Sequence, residues 1–430
     1  MAEALFLSIM LMIVLMFIGT PVAVSLCVGG AAGLYMAFGS SALSTVALLL
    51  GSTLDNFIIL AVPLFIVMGV VLGKSGVGEK LYMLFDAYLR HIHGGIGIAT
   101  ILTCAVLAAM CGTSVAIAAM VGAFAFENLK KYGYSLNLSI GIIAAGGALG
   151  ILIPPSVPMI VYSAFSDEST GKLFISGIIP GIIAIIFFSF YVAFAYSRGK
   201  NKVVSPKASW AERIKATKDG IWALLVPTGV MIPLYTGIAT PTETAAIGIF
   251  WSFFIGIVIY KKITYRDILP VLEESVTSSV MILFVIIGAL VFGNAATQLG
   301  LSTMIMSAAV ETLSSFSFVL LTICIVLVLG MFLEGASIMF VILPIFLPTL
   351  LGLHVDLIWY AVVLVIGIEI ALLTPPVGLN LYAVDGMAKS LGYSSNMSTA
   401  IKGTFPFLIL YLVVLVLLLF FPEIATWLPE

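Results

Sequence analysis

The chain has 430 residues, of which 62% are hydrophobic and only 9% charged, with a formal net charge of −2. Soluble domains carry roughly 25% charged residues, so this composition excludes one. Apolar stretches of about 20 residues match the hydrocarbon core of a bilayer, and an all-α polytopic membrane protein is predicted, with the lipid bilayer as its surroundings and no nucleic-acid partner.

The first apolar run starts at Ala4 with no positive residue before it and no small-residue cleavage site, so it reads as a span at 3–19 and not a signal peptide. Further spans are expected at 21–37 and 57–74. His91 and His93, beside Arg90 and before Gly94-Gly95, read as an interfacial loop. From Gly97 to Met110 an apolar arm rises roughly 21 Å as a helix, short of the ~30 Å core. Cys111-Gly112-Thr113-Ser114 then supplies a permissive glycine and hydroxyls that suit a helix start, and a second apolar arm runs to Phe126. The segment 95–127 is therefore predicted to be a re-entrant hairpin whose tip stops inside the membrane. The next segment, 137–165, is interrupted by Ile153-Pro154-Pro155-Ser156. Prolines remove backbone donors and clash with the preceding turn, so this helix is predicted to break in mid-membrane and to line a protein cavity there. A span at 173–196 follows. Cys27, Cys104, Cys111 and Cys324 lie in apolar runs without CxxC spacing and read as packing residues.

The one clearly polar stretch, 197–220, carries seven basic residues: Arg198, Lys200, Lys202, Lys207, Arg213, Lys215 and Lys218. Within it, 210–215 reads as an amphipathic helix lying on the membrane surface. Spans are expected next at 219–237, 242–260 and 277–296. A second hairpin at 318–350 has its tip at Phe332-Leu333-Glu334-Gly335-Ala336-Ser337, a broken helix at 358–385 contains Thr374-Pro375-Pro376-Val377, and a last span covers 403–421. Glu243 reads as stabilising the helix start behind Thr240, and Asp385 as the partner of Lys389 one turn on.

The halves are in register. Thr20-Pro21 and Thr240-Pro241 are offset by 220 positions, the proline pairs by 221, and Gly112-Thr113-Ser114 and Gly335-Ala336-Ser337 by 223. With the N-terminus outside, only Lys172 of the 18 lysines and arginines falls outside, and none occurs between Arg266 and Lys389. The positive-inside rule thus favours two inverted repeats, one hairpin entering from each face. The organisation is a first repeat at 1–196, a basic cytoplasmic linker at 197–220, a second repeat at 221–402 and a C-terminal span at 403–430.

Tips facing breaks bring helix ends together at mid-bilayer. Helix starts suit an anion, and finishing ends offer carbonyls to sodium. The candidate sodium ligands are Gly112, Thr113 and Ser114 with Gly147, Gly150, Ile153 and Pro155 in the first repeat. In the second they are Gly335 and Ser337 with Ala371, Thr374 and Val377. Hard oxygen donors of this kind suit Na⁺ and no transition metal. Glu334 and Glu369 are candidate ion relays, because a carboxylate buried in an apolar segment is costly. No GxxxxGK[ST] loop is present, so an ion gradient or a partner must drive uphill transport. No HExxH, GxSxG or paired-aspartate cluster supports an intramembrane enzyme.

At Gly112-Thr113-Ser114-Val115-Ala116, at 147–156 and at Leu373-Thr374-Pro375-Pro376-Val377-Gly378-Leu379-Asn380 the chain resembles the large membrane subunit of TRAP transporters, the tripartite ATP-independent periplasmic carriers. His93-Gly94-Gly95 and 173–181 are also similar to that family. The resemblance implies a Na⁺-driven importer of organic acids such as C4-dicarboxylates or sialic acid in a bacterial inner membrane, working as an elevator of a transport domain against a scaffold. It also implies a small four-helix membrane subunit and a periplasmic substrate-binding protein as partners. Ser114, Ser156, Ser337 and Asn380 are the expected substrate contacts. A proton in place of sodium, and a stand-alone carboxylate symporter or exchanger without a binding protein, are the alternatives.

Overall fold

The computed structural model describes all residues except 200–202, 204–205, 332 and 430, and the side chains of all these but 43, 52–54 and 310. Lys200, Lys202 and Phe332 of the sequence motifs therefore lie outside the described residues. Every regular element among the described residues is helical. This follows from the solvent, because a helix satisfies its own backbone and lipid offers no partner.

Each half carries a hairpin followed by a broken helix. The first hairpin pairs Gly95–Cys111 with Ser114–Lys131, and its broken helix comprises Leu136–Gly147, a tighter turn at Ala148–Ile151, and Val157–Ser166. The second hairpin pairs Ser315–Gly330 with Gly335–Gly352, followed by Leu357–Leu372 and Leu379–Ser390. Both Pro-Pro bonds, at Pro154-Pro155 and Pro375-Pro376, are cis. The first arm is 17 residues, about 26 Å, longer than the sequence suggests yet still short of the hydrocarbon thickness.

The Met397–Phe420 helix acts as a ruler for the two hairpins. At Gly403 it touches Asn137, just beyond the foot of the first hairpin, while the Leu418 carbonyl accepts the Trp359 indole N–H at 2.7 Å, just beyond the foot of the second. Those contacts are about 22 Å apart along the axis. The hairpins therefore point at each other from opposite ends. Their second arms cross-pair: Ser114–Lys131 packs along Leu379–Ser390, with Phe126 against Tyr393, and Gly335–Gly352 packs along Val157–Ser166, with Phe165 against Phe340.

Close approach needs small residues. A Cβ on Gly141 would sit 2.1 Å from the Gly403 carbonyl oxygen, so those two helices meet backbone to backbone, the usual device where lipid gives no hydrophobic drive between helices. Around this core stand the outer helices, among them Val22–Phe38, Ala61–Lys74, Ile178–Arg198, Pro241–Phe254 and the 34-residue Tyr265–Gln298. Their outer faces carry Phe17, Phe190, Phe250 and Met281 in exposed positions, as a lipid-facing surface requires.

Several elements differ from the sequence reading. Ser41–Leu54, Val77–Leu89 and Leu301–Thr312 are helices that no predicted span covers. Val77–Leu89 bends 64° away from Ala61–Lys74, with Gly76 in the left-handed region at φ 77°. The predicted surface helix at 210–215 is not separate: it forms the first turns of the continuous Trp210–Tyr235 helix. A Ser209–Glu212 capping box starts it, and Arg90 holds Glu212 at 2.9 Å. His91 and His93 lie in the turn before the first hairpin. Glu243 caps its helix with Thr240, and Lys389 pairs with Asp385 at 2.6 Å, both as expected.

Candidate functional site

The first tip turns through Gly112 in the left-handed region, φ 66°, and extended Thr113. A Cβ on Gly112 would stand 3.1 Å from the Pro155 carbonyl oxygen, and one on Gly150 would stand 2.9 Å from Ser114 N and Cα. Only glycine lets the tip seat on the break this closely. Ser114 then reaches into the other repeat. Its hydroxyl donates to Glu369 Oε1 at 2.6 Å, and the Ile151 N–H lies 3.4 Å from the same oxygen. Glu369 is fully buried, and its Oε2 has no hydrogen-bond partner among the described residues. At the second tip Gly335 packs against Ile368 and Ile151, so the two tips and both broken helices close on one junction.

A cavity of about 970 Å³ opens from this junction. Four helix starts border it, at Ser114, Val157, Gly335 and Leu379. Four helix finishes do so as well among the described residues, at Lys74, Cys111, Ile151 and Leu372. Of the four residues preceding those starts, only Ser156 caps its own helix with its side chain; Thr113, Glu334 and Gly378 make no such bond. First-turn N–H groups thus remain for a ligand, and an anion is the ligand that uncapped helix starts favour.

The predicted residues divide accordingly. Gly112, Thr113, Ser114, Glu334 and Gly335 line the cavity. Gly150 and Pro155 back the first tip, and Gly147 packs on Ala118 behind it. Other predicted ligands already have structural partners. Ser156 accepts from Met159 N, Thr374 Oγ1 donates to the Ile370 carbonyl at 2.6 Å, and the Ala371 carbonyl accepts from Thr374 N. Ile153 packs against Gly181, Val377 is half-buried at the second break, and Ser337 is buried in the second arm away from the cavity wall. Asn380 is fully buried, and neither polar atom of its side chain has a partner among the described residues.

Residues 9–424 match the family described as Tripartite ATP-independent periplasmic transporter, DctM component. The chain belongs to that family. It is 34% identical to the C4-dicarboxylate TRAP transporter large permease protein DctM of Pseudomonas aeruginosa, over 91% of each chain. To the Sialic acid TRAP transporter permease protein SiaT of Haemophilus influenzae it is 30% identical, over the whole of this chain and 69% of that one. Among solved structures it is similar to the Alcanivorax borkumensis YdaH transporter, with a TM-score of 0.67, 15% identity and 91% of both chains covered, a likeness of fold alone. This DctM-family chain is thus a multi-pass membrane transporter component, and these curated relatives are named as permeases.

Sequence reasoning missed two charged residues of the cavity. Lys74 and Glu274 line the wall and form an ion pair of 2.7 Å. Each looks like a charge at the end of a span, and a separation of 200 positions hides their meeting.

Proposed function

We propose that this chain is the large permease subunit of a sodium-coupled importer of organic acids, C4-dicarboxylates or sialic acid, seated in a bacterial inner membrane with its N-terminus periplasmic. The observation that carries this reading is the convergence of four helix starts and four helix finishes on one cavity. Starts suit the carboxylate and finishing carbonyls suit a hard cation. Relatives that carry C4-dicarboxylate and sialic acid in their names support the substrate class. Sodium would be held by oxygens of the Gly112–Ser114 tip with Gly147, Gly150, Ile153 and Pro155. A second ion would be held around Gly335 and Ser337 with Ala371, Thr374 and Val377. The orphaned buried oxygen of Glu369 and the unpartnered Asn380 amide fit a site that awaits a polar ligand. When bound, the cation supplies the coupling charge. The hairpins and broken helices would then move as one body against the outer helices, in elevator fashion. A small four-helix membrane subunit and a periplasmic binding protein would complete the importer.

Uptake of succinate and sialic acid into proteoliposomes, with and without a sodium gradient and the binding protein, tests this. Uptake is expected only with both. Uptake indifferent to sodium overturns the coupling, and uptake of free acid without the binding protein selects the stand-alone symporter.

A further inference from the structure

The carboxylate-importer reading leaves a question of charge inside the cavity. Among the described residues, three charged side chains line it: Glu334 at the second tip, and Lys74 and Glu274 on the facing wall. Two acids and one lysine make an unwelcoming passage for an organic anion, and the lysine is already paired. Neighbouring glycines fix where that pair lies. A Cβ on Gly69 would stand 3.3 Å from Cys111 Cα, level with the first tip, and one on Gly73 would stand 3.1 Å from the Met120 side chain, further down the second arm. The Ala61–Lys74 helix therefore runs beside the hairpin from its tip towards its foot and ends at Lys74, about 7 Å along the axis below the tip. Lys74 and Glu274 are 39% and 53% exposed, so their ion pair is open to water and to a competing anion.

We propose that Lys74 is the cation of a carboxylate subsite between the tips and the mouth of the cavity, and that Glu274 is its resident counter-anion, displaced when the substrate carboxylate arrives. Glu274 then covers the lysine whenever the cavity is empty. A half-exposed ion pair is weak enough for such exchange, because solvent screens it. The free carboxylate of Glu274, returning to Lys74, would favour release of the substrate. The inference rests on the importer reading for its ligand, and on the cavity geometry for its residues.

The test uses opposite signs. In the reconstituted complex, exchange of succinate and of sialic acid is measured from the face onto which the cavity opens, and binding is read in parallel as heat stabilisation of the purified complex by each acid. Lys74→Gln is expected to raise KM roughly five- to tenfold at unchanged kcat, Lys74→Arg to stay near the parent, and Glu274→Gln to lower KM. The swap of Lys74→Glu with Glu274→Lys is expected to remain as poor as Lys74→Gln. A pair that merely ties two helices predicts otherwise: both single neutral variants would err in the same direction and the swap would restore the parent. Either result overturns the subsite. An acid that is carried with the same KM by Lys74→Gln sinks the subsite and leaves the importer reading standing. An acid that stabilises the parent but not Lys74→Gln, and is never carried, sinks the importer reading and leaves the subsite. No binding and no transport of either acid by the parent overturns both.

Discussion

Ser114 and Glu369 are 255 positions apart and share a short polar contact at the junction, Ser114 Oγ donating to Glu369 Oε1 at 2.6 Å. The bond joins the tip of one repeat to the broken helix of the other, inside a region where both residues are buried. A tip held this way is registered on both breaks at once. Removing one partner orphans the other, which costs about 1–3 kcal/mol in a buried site. Ser114→Ala and Glu369→Ala should each lower thermal stability and uptake. The double variant should be no worse than Glu369→Ala alone, since the bond can be lost only once. Additive losses in a double-mutant cycle would mean that the two residues act separately.

The seat of the first tip is tested by Gly150. A methyl there meets the backbone of Ser114 at 2.9 Å, and no side chain can rotate to relieve it. Gly150→Ala should abolish uptake and lower the unfolding temperature by several degrees. Gly386 provides the control, because a methyl there would have nothing within 4 Å and the residue sits in the Leu379–Ser390 helix. Gly386→Ala should be neutral or stabilise by up to about 1 kcal/mol.

The hairpins and breaks are legible in the chain because their signals are backbone signals: Gly112 must take a left-handed turn, and Pro154-Pro155 and Pro375-Pro376 cannot continue a helix. What escapes is lateral. Ser41–Leu54 is short and carries Ser, Thr and Gly, so it does not read as a span, yet it packs on Val22–Phe38 and Tyr265–Gln298. Val77–Leu89 hides behind Glu79, Lys80 and Asp86, although Val77, Leu81, Tyr82 and Leu84 bury one face at helical spacing. Thr374 and Ser156 look like ligands from their oxygens alone. Their hydroxyls also serve the ends of their own helices, a role that no spacing rule distinguishes from ligation. Lys74 needs the fold itself, since its partner comes from the other half of the chain.

At the start of Trp210–Tyr235 a pH effect of definite sign is expected. The backbone N–H of Ser209, with Arg90 beside it, holds the Glu212 carboxyl below its ordinary value. A carboxylate depressed on folding stabilises above its unfolded pKa, and that contribution is lost as the pH falls through the folded value. Amide exchange at 210–213 should therefore be slow at about pH 6 and speed up below about pH 4, beyond the intrinsic trend. Glu212→Gln should remove the step while leaving the rest of the helix protected. An unchanged profile in that variant would show that the capping box does not hold the helix start.

The opposed hairpins make a prediction about sidedness that is independent of transport. Glu127 is exposed near the foot of the first hairpin, and Glu311 is exposed just before the second. The Met397–Phe420 helix places those feet about 22 Å apart along its axis, touching Asn137 with one end and Trp359 with the other. Membrane-impermeant maleimide applied to right-side-out cells should label Glu311→Cys and leave Glu127→Cys untouched until the membrane is opened. The basic residues predict the same hand, since Lys130 and Lys131 sit at the first foot and no lysine or arginine occurs between Arg266 and Lys389. Labelling of both cysteines from one face would require the two hairpins to enter together, and the shared junction of their tips at Glu369 could not then form.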